Sequence, residues 1–160
     1  MKVTSKSRIL LLDTNLLLLL FIGAKDPKLI AKARTLKAFE ESDYDLLEAI
    51  IRLNFTSLVT TPHIMTEVSN LLGKERDDIK SAGRRAMAEF LQKCDEITEK
   101  SIILVDRPEF TRLGLTDVAI AVAAELPAFV LTADAPLYVH VSRSGLETAN
   151  FNHIRQGSWT

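Results

Sequence analysis

Short strand-like runs, each ending in a polar turn and leading into a helically periodic segment, constrain this chain more than any other feature. The runs fall at residues 7–12, 57–60, 101–105 and 128–131, with a weaker fifth at 148–151. The first is continuously apolar from Ile9 to Leu12. Unbroken apolarity, rather than alternation, marks a strand covered on both faces. Between the runs lie helical patterns. Residues 14–22 are apolar all round and meet a breaker at Gly23. Asp26-Pro27 restarts a helix to about Glu41, with Leu29, Ala33, Leu36 and Phe39 on one face. Another is predicted over 43–53, with Leu46, Leu47, Ile50 and Ile51 inward. Thr61-Pro62 supplies an N-cap and a first-turn proline for a helix to Leu72, stopped by Gly73. Residues 77–97 predict a long helix, and further helices start at Asp117 and Asp134. Alternating β and α elements imply an α/β fold, a parallel sheet with helices on both faces.

With 160 residues, the chain is read as one domain, 1–160, with a helical segment at 24–56 and no internal repeat or linker. A hydrophobic content of 47% with 26% charged residues fits a soluble globular protein. The net charge of −1 provides no global basic field for nucleic acid. One cysteine, Cys94, excludes an intramolecular disulfide framework and fits a reducing cytoplasm. Lys2, Lys6 and Arg8 before a leucine-rich run superficially resemble a signal peptide. Asp13-Thr14-Asn15 interrupts that run, and a carboxylate is costly in a membrane segment. The expectation is a buried strand and helix in a soluble, cytoplasmic protein.

Four acidic residues occupy positions where strands end and helices begin. Asp13 closes the first strand, and Glu67 lies in the helix after the second. Asp117 follows Gly114-Leu115-Thr116, and Asp134 follows Leu131-Thr132-Ala133. In an open parallel sheet such positions converge above the carboxyl ends of the strands. Converging carboxylates repel one another and need a compensating cation, and hard oxygen ligands select Mg²⁺ or Mn²⁺. Each acid also has a plain structural reading. Asp13, Asp117 and Asp134 suit helix N-termini, and Glu67 borders the apolar stripe of Ile64, Val68 and Leu71. Thr14 and Asn15 are placed to hold the Asp13 carboxylate. Thr116 is a candidate N-cap, and Thr132 a hydrogen-bond partner for a neighbouring carboxylate. His63, His140 and His153 are scattered, with no zinc-ligand spacing.

As a set, Leu11-Leu12-Asp13-Thr14-Asn15, Thr66-Glu67-Val68, Gly114-Leu115-Thr116-Asp117-Val118-Ala119-Ile120 and Leu131-Thr132-Ala133-Asp134 resemble the motifs of the PIN-domain nucleases. The terminal Asn150-Phe151-Asn152 resembles that family's segment after the last strand. The likeness spans nearly the whole length. It implies a five-stranded parallel sheet in the order 3-2-1-4-5 with the acids at its switch point. It also implies Mg²⁺- or Mn²⁺-dependent hydrolysis of RNA by activated water, with Asp13, Glu67, Asp117 and Asp134 as metal-binding, catalytic residues. Two metals about 3.5–4 Å apart can activate a water and relieve transition-state charge. Small members include the VapC-like toxins, so the resemblance further implies a homodimer and a cognate antitoxin. The stretch between the first two acids is longer here than in the most compact toxins. Candidate phosphate contacts are Arg76, Lys80 and Arg84, at i, i+4 and i+8, and Arg112 near the Asp117 turn; Lys25, Lys28 and Lys32 form a second basic cluster. The structural alternative for the first three is a solvated face paired locally with Asp77 and Asp78. A receiver domain would need an acidic pair near the first acid and a later lysine, and a haloacid-type phosphohydrolase an Asp at position 15, which is Asn. The remaining alternative is an inactive PIN-like scaffold that binds RNA or protein.

Overall fold

The computed structural model describes residues 9–126 and 128–157. The predicted first-strand positions Ser7 and Arg8, and the cations Lys2 and Lys6, lie outside them. Five strands form one parallel sheet in the order β3-β2-β1-β4-β5. They are β1 (Ile9–Leu12), β2 (Ser57–Thr60), β3 (Asp95–Glu96), β4 (Phe129–Thr132) and β5 (Thr148–Asn150). β1 is central, with Leu11 beside Val59 of β2 on one side and Val130 of β4 on the other. Leu10, Leu11, Leu12, Val130 and Leu131 are essentially inaccessible. This accounts for their unbroken apolarity, since both faces of a doubly covered sheet exclude water.

The helices are α1 (Thr14–Lys25), α2 (Glu41–Asn54), α3 (Pro62–Leu72), α4 (Asp77–Leu91), α5 (Ser101–Val105), α6 (Phe110–Leu113), α7 (Leu115–Glu125), α8 (Ala135–Arg143) and α9 (Phe151–Arg155). α1 packs on α2, α3 and α4, while α7 packs on α5, α6 and α8; α3 meets α7. From β1 the chain moves one way to β2 and β3. It then crosses back to β4 and moves the other way to β5. Right-handed crossovers in opposite directions put the two helix groups on opposite faces. Between β1 and β4 the direction reverses, and in open α/β sheets ligands bind beyond the strands' carboxyl ends at such a reversal. Among the described residues no helix is long and apolar enough to cross a membrane.

Several local expectations change. Residues 101–105 are helix α5, not the third strand. Ile102, Ile103 and Val105 are exposed and only Leu104 is buried, so the run covers one side of a short helix. The third strand is the acidic pair Asp95–Glu96, aligned with Val59 and Thr60. Both residues are exposed, and charged side chains at a sheet edge discourage pairing with other chains. The 77–97 helix therefore ends at Leu91. α1 continues through Gly23, which is buried where a Cβ would overlap the Tyr44 ring; the glycine permits contact between α1 and α2. The fifth strand stops at Asn150, whose side-chain oxygen accepts the Asn152 N–H at 2.9 Å and opens α9.

The predicted helix at 27–41 is instead two 3₁₀ segments, Pro27–Lys32 and Arg34–Leu36. Its buried residues explain this. Ile30, Ala33, Leu36 and Phe39 recur every three residues, the period of a 3₁₀ rather than an α-helix. Glu75, in the α3–α4 turn, is buried and accepts the Arg34 N–H at 2.7 Å, the Thr35 N–H at 3.1 Å and the Thr35 hydroxyl at 2.9 Å. It satisfies backbone donors freed where the two segments meet. Glu75→Ala leaves those donors unpaired, with an expected cost of about 2–3 kcal/mol. Denaturant unfolding checks this, and a loss below about 0.5 kcal/mol would show that water replaces the carboxylate.

Candidate metal centre

Asp13 follows β1 directly. Its N–H continues the ladder to Leu131 O at 3.3 Å, and its side chain is buried. Oδ1 accepts the Leu16 N–H at 3.1 Å and caps α1. Oδ2 accepts the Ala133 N–H at 2.9 Å and the Thr132 hydroxyl. The carboxylate therefore ties the ends of β1 and β4 together. Burial pushes its carboxyl above the ordinary range; the Thr132, Leu16 and Ala133 bonds pull down, and Asp134 adds repulsion. Thr132 fills the predicted partner role. Thr14 and Asn15 give the carboxylate no hydrogen bond; Asn15 is exposed, and the bonds come from Leu16, Thr132 and Ala133.

Asp134 lies two residues beyond β4. Oδ1 accepts the Leu137 N–H at 2.8 Å and caps α8, while its own N–H donates to Thr132 Oγ1 at 2.9 Å. Thr132 thus receives from Asp134 and donates to Asp13. Behind this turn, Asn152 Nδ2 donates to Ala133 O at 3.1 Å. Asn152 was visible in sequence only within the terminal motif; its hold on Ala133 depends on the parallel alignment of β4 and β5.

Glu67 is exposed on α3, and its Oε2 accepts the Thr116 hydroxyl of α7 at 2.7 Å. Thr116 is therefore a bridge between helices. The N-cap position belongs to Gly114, whose φ of 85° favours glycine. Asp117 is the third residue of α7, half-buried, and has no hydrogen-bond partner among the described residues. Its carboxyl is pushed up to about 7 by burial first, then by Asp134, Asp13 and Glu67. The other three acids thus all act on this one group.

Among the described residues, no group of three or more His, Cys, Asp or Glu side chains stands as a ready cation-holding cluster. Asp134, Asp13 and Glu67 lie near enough to act on Asp117, and Asp134 on Asp13, without the four closing on one point. Uncompensated like charges have reason to do this. Asp13 and Asp134 turn one oxygen each to a cap, and Glu67 turns to Thr116. The donor set is entirely hard carboxylate oxygen, which fits Mg²⁺ or Mn²⁺ and not a soft metal.

The basic residues are less convergent. Arg76 Nε pairs with Asp78 at 2.6 Å and holds that carboxyl below its ordinary value. Lys80 reaches Asp77 at 3.5 Å. Arg84 donates to Ser69 O at 3.2 Å. The local pairing considered for this face is therefore present. α3 leaves the carboxyl end of β2, so the turn carrying Arg76 lies toward the opposite end of the sheet. Lys25 ends α1, roughly 18 Å along the helix from the Asp13 cap, and its cluster also lies away from the acids. Arg112 contacts His140 Nδ1 of α8 at 3.3 Å. No protein-family model matches the chain, and no curated protein sequence matches it.

Asp117→Asn removes one repelling charge without breaking a hydrogen bond. A carboxyl with a raised folded pKa contributes stability below its unfolded pKa near 3.8 and loses it as pH rises through about 7. The metal-free variant is expected to melt about 3–6 °C above the parent at pH 8. The gap should narrow as pH falls from 7 towards 4. Calorimetric melts in chelator check this; equal melting at pH 8 would mean solvent already screens the cluster.

Proposed function

We propose that the protein is a divalent-cation-dependent endoribonuclease of the PIN-domain kind. The observation that carries the proposal is the half-buried Asp117 carboxyl, pushed to about 7 by burial first and then by Asp134, Asp13 and Glu67, in a sheet whose strand order reverses between β1 and β4. Acids perturbed at such a switch point are expected at functional sites. Asp13, Glu67, Asp117 and Asp134 would hold Mg²⁺ or Mn²⁺. When bound, the cation supplies an activated water and relieves negative charge on the phosphodiester. The protein's part is to fix the donors. Leu16, Thr132 and Ala133 hold Asp13, Thr116 holds Glu67, and Asn152 steadies the turn between β4 and Asp134.

A scaffold reading draws on a specific fact: Asp13 and Asp134 are satisfied as helix caps without any cation. Incubating end-labelled single-stranded RNA with chelator-stripped protein separates the two. Cleavage on adding Mg²⁺ or Mn²⁺ supports the nuclease, and intact RNA under all conditions supports the scaffold. The toxin role, with a cognate antitoxin and a homodimer, rests on the resemblance alone. Growth arrest on expression, relieved by the adjacent open reading frame, would support it.

A further inference from the structure

The outward face of α3 carries a cleft that the four-acid site does not explain. It has a volume of about 400 Å³ and is lined by Pro62, His63, Thr66, Glu67 and Asn70. That volume falls in the range of roughly 300–1,000 Å³ typical of small-ligand sites. His63, Thr66 and Asn70 follow i, i+3, i+7 spacing, so they form one stripe of the helix. Ile64, Met65, Val68 and Leu72 turn the other way into the core. The stripe is therefore fixed by the packing of the opposite face. His63 Nε2 lies 3.4 Å from Ser101 Oγ, which brings the start of α5 alongside the cleft.

We infer that this cleft is a nucleobase subsite, one that holds an unstacked base of single-stranded RNA next to the phosphate to be cut. The inference rests on the ribonuclease reading and names where its substrate is read. Charge decides which part of a nucleotide can enter. Among the described residues the lining contains no lysine or arginine, and its one charged member there is the Glu67 carboxylate. A phosphate would meet repulsion there, whereas a neutral base would not. The remaining groups match a base. An asparagine amide pairs in bidentate fashion with an adenine edge, and a threonine hydroxyl accepts or donates to any base. A histidine ring offers a stacking surface. Thr66 and Asn70 are exposed, and among the described residues their side chains make no hydrogen bond. Their donors and acceptors are thus open to a ligand. Base edges are accessible in this way only in unpaired RNA, because side chains cannot read the deep groove of an A-form duplex. Glu67 belongs both to the cleft and to the acidic site, which places the bound base beside the reacting phosphate.

The test uses short RNA oligonucleotides that differ at one nucleotide. Cut positions are mapped for wild type, Asn70→Ala and Thr66→Ala, and equilibrium binding of the same oligonucleotides is measured for each in chelator. Wild type is expected to prefer one base at one position beside the cut. Each substitution should flatten that preference by about 5- to 100-fold while leaving other positions unchanged. Both residues are exposed, and circular dichroism verifies that the variants fold. Cleavage with a preference untouched by both substitutions overturns the subsite but leaves the ribonuclease. If wild type cleaves nothing, base-selective binding lost in Asn70→Ala keeps the subsite and rejects the nuclease. Absence of base-selective binding as well rejects both.

Discussion

Asp13→Asn is expected to lower RNA cleavage by about 10³-fold or more while the protein stays folded. The magnitude is that of losing a charged group at the reacting centre, the role proposed for Asp13. The structure also constrains what asparagine does to stability. Each hydrogen bond to the Asp13 carboxylate comes from a donor: the Leu16 N–H, the Ala133 N–H and the Thr132 hydroxyl. An amide must turn its NH₂ toward one of them, leaving a buried donor facing a donor, at about 1–3 kcal/mol. Relief of carboxylate burial and of repulsion from Asp134 opposes that cost. Melting close to wild type with cleavage gone marks a functional carboxylate. A folded variant that retains cleavage within about tenfold of wild type would reduce Asp13 to a helix cap, because removing a reacting-centre group costs far more.

Cation and pH together should produce the largest stability change. Asp13 and Asp117 both have raised carboxyl pKa values, Asp117 to about 7. The metal-free protein should therefore lose stability as pH rises from about 4 through 7. On the proposed metal site, Mg²⁺ would bind the ionised folded cluster and should reverse that loss. At 100 times the dissociation constant the gain is about 2.7 kcal/mol, or roughly 5–10 °C for a domain of this size. At pH 5 protons compete for the same oxygens, and the gain should shrink. Melts at pH 5 and pH 8, with chelator or Mg²⁺, provide the comparison. Superimposable curves at saturating Mg²⁺ would favour the scaffold.

Strands β1 and β4 were legible because buried parallel strands are apolar on both faces, as Ile9–Leu12 and most of Phe129–Thr132 are, whereas the sheet order was implied only by the family resemblance. β3 was not legible, because two exposed acidic residues at an edge carry no hydrophobic signal. The β-branched run in α5 misled for the converse reason: side chains suited to a strand cover one side of a short helix. The period of three in Ile30, Ala33, Leu36 and Phe39 was available, but Leu29 made an α-helical stripe look complete. At the site, Asp13 and Asp134 were readable from their places after β1 and β4, whereas Glu67 lies within α3 and Asp117 in α7 after α6, and only the motif resemblance joined them to the set. Their local supports were less so. Thr132 could be named from its position, but Ala133 and Asn152 act through a backbone N–H and a contact across strands, which side-chain identity does not reveal. The cleft on α3 is likewise a property of the packed face opposite, not of any motif.

Direct titration of Mn²⁺ into chelator-stripped protein addresses the claim on which the account rests, that the four carboxylates form one cation site. Calorimetry in two buffers of different ionisation enthalpy reports both affinity and protons released. At pH 7, near the raised Asp117 carboxyl, saturable binding with proton release is expected, weakened at least tenfold, about 1.4 kcal/mol, in both Asp13→Asn and Asp117→Asn. Binding that is absent, or equally weak in wild type and both variants with no proton released, would contradict it.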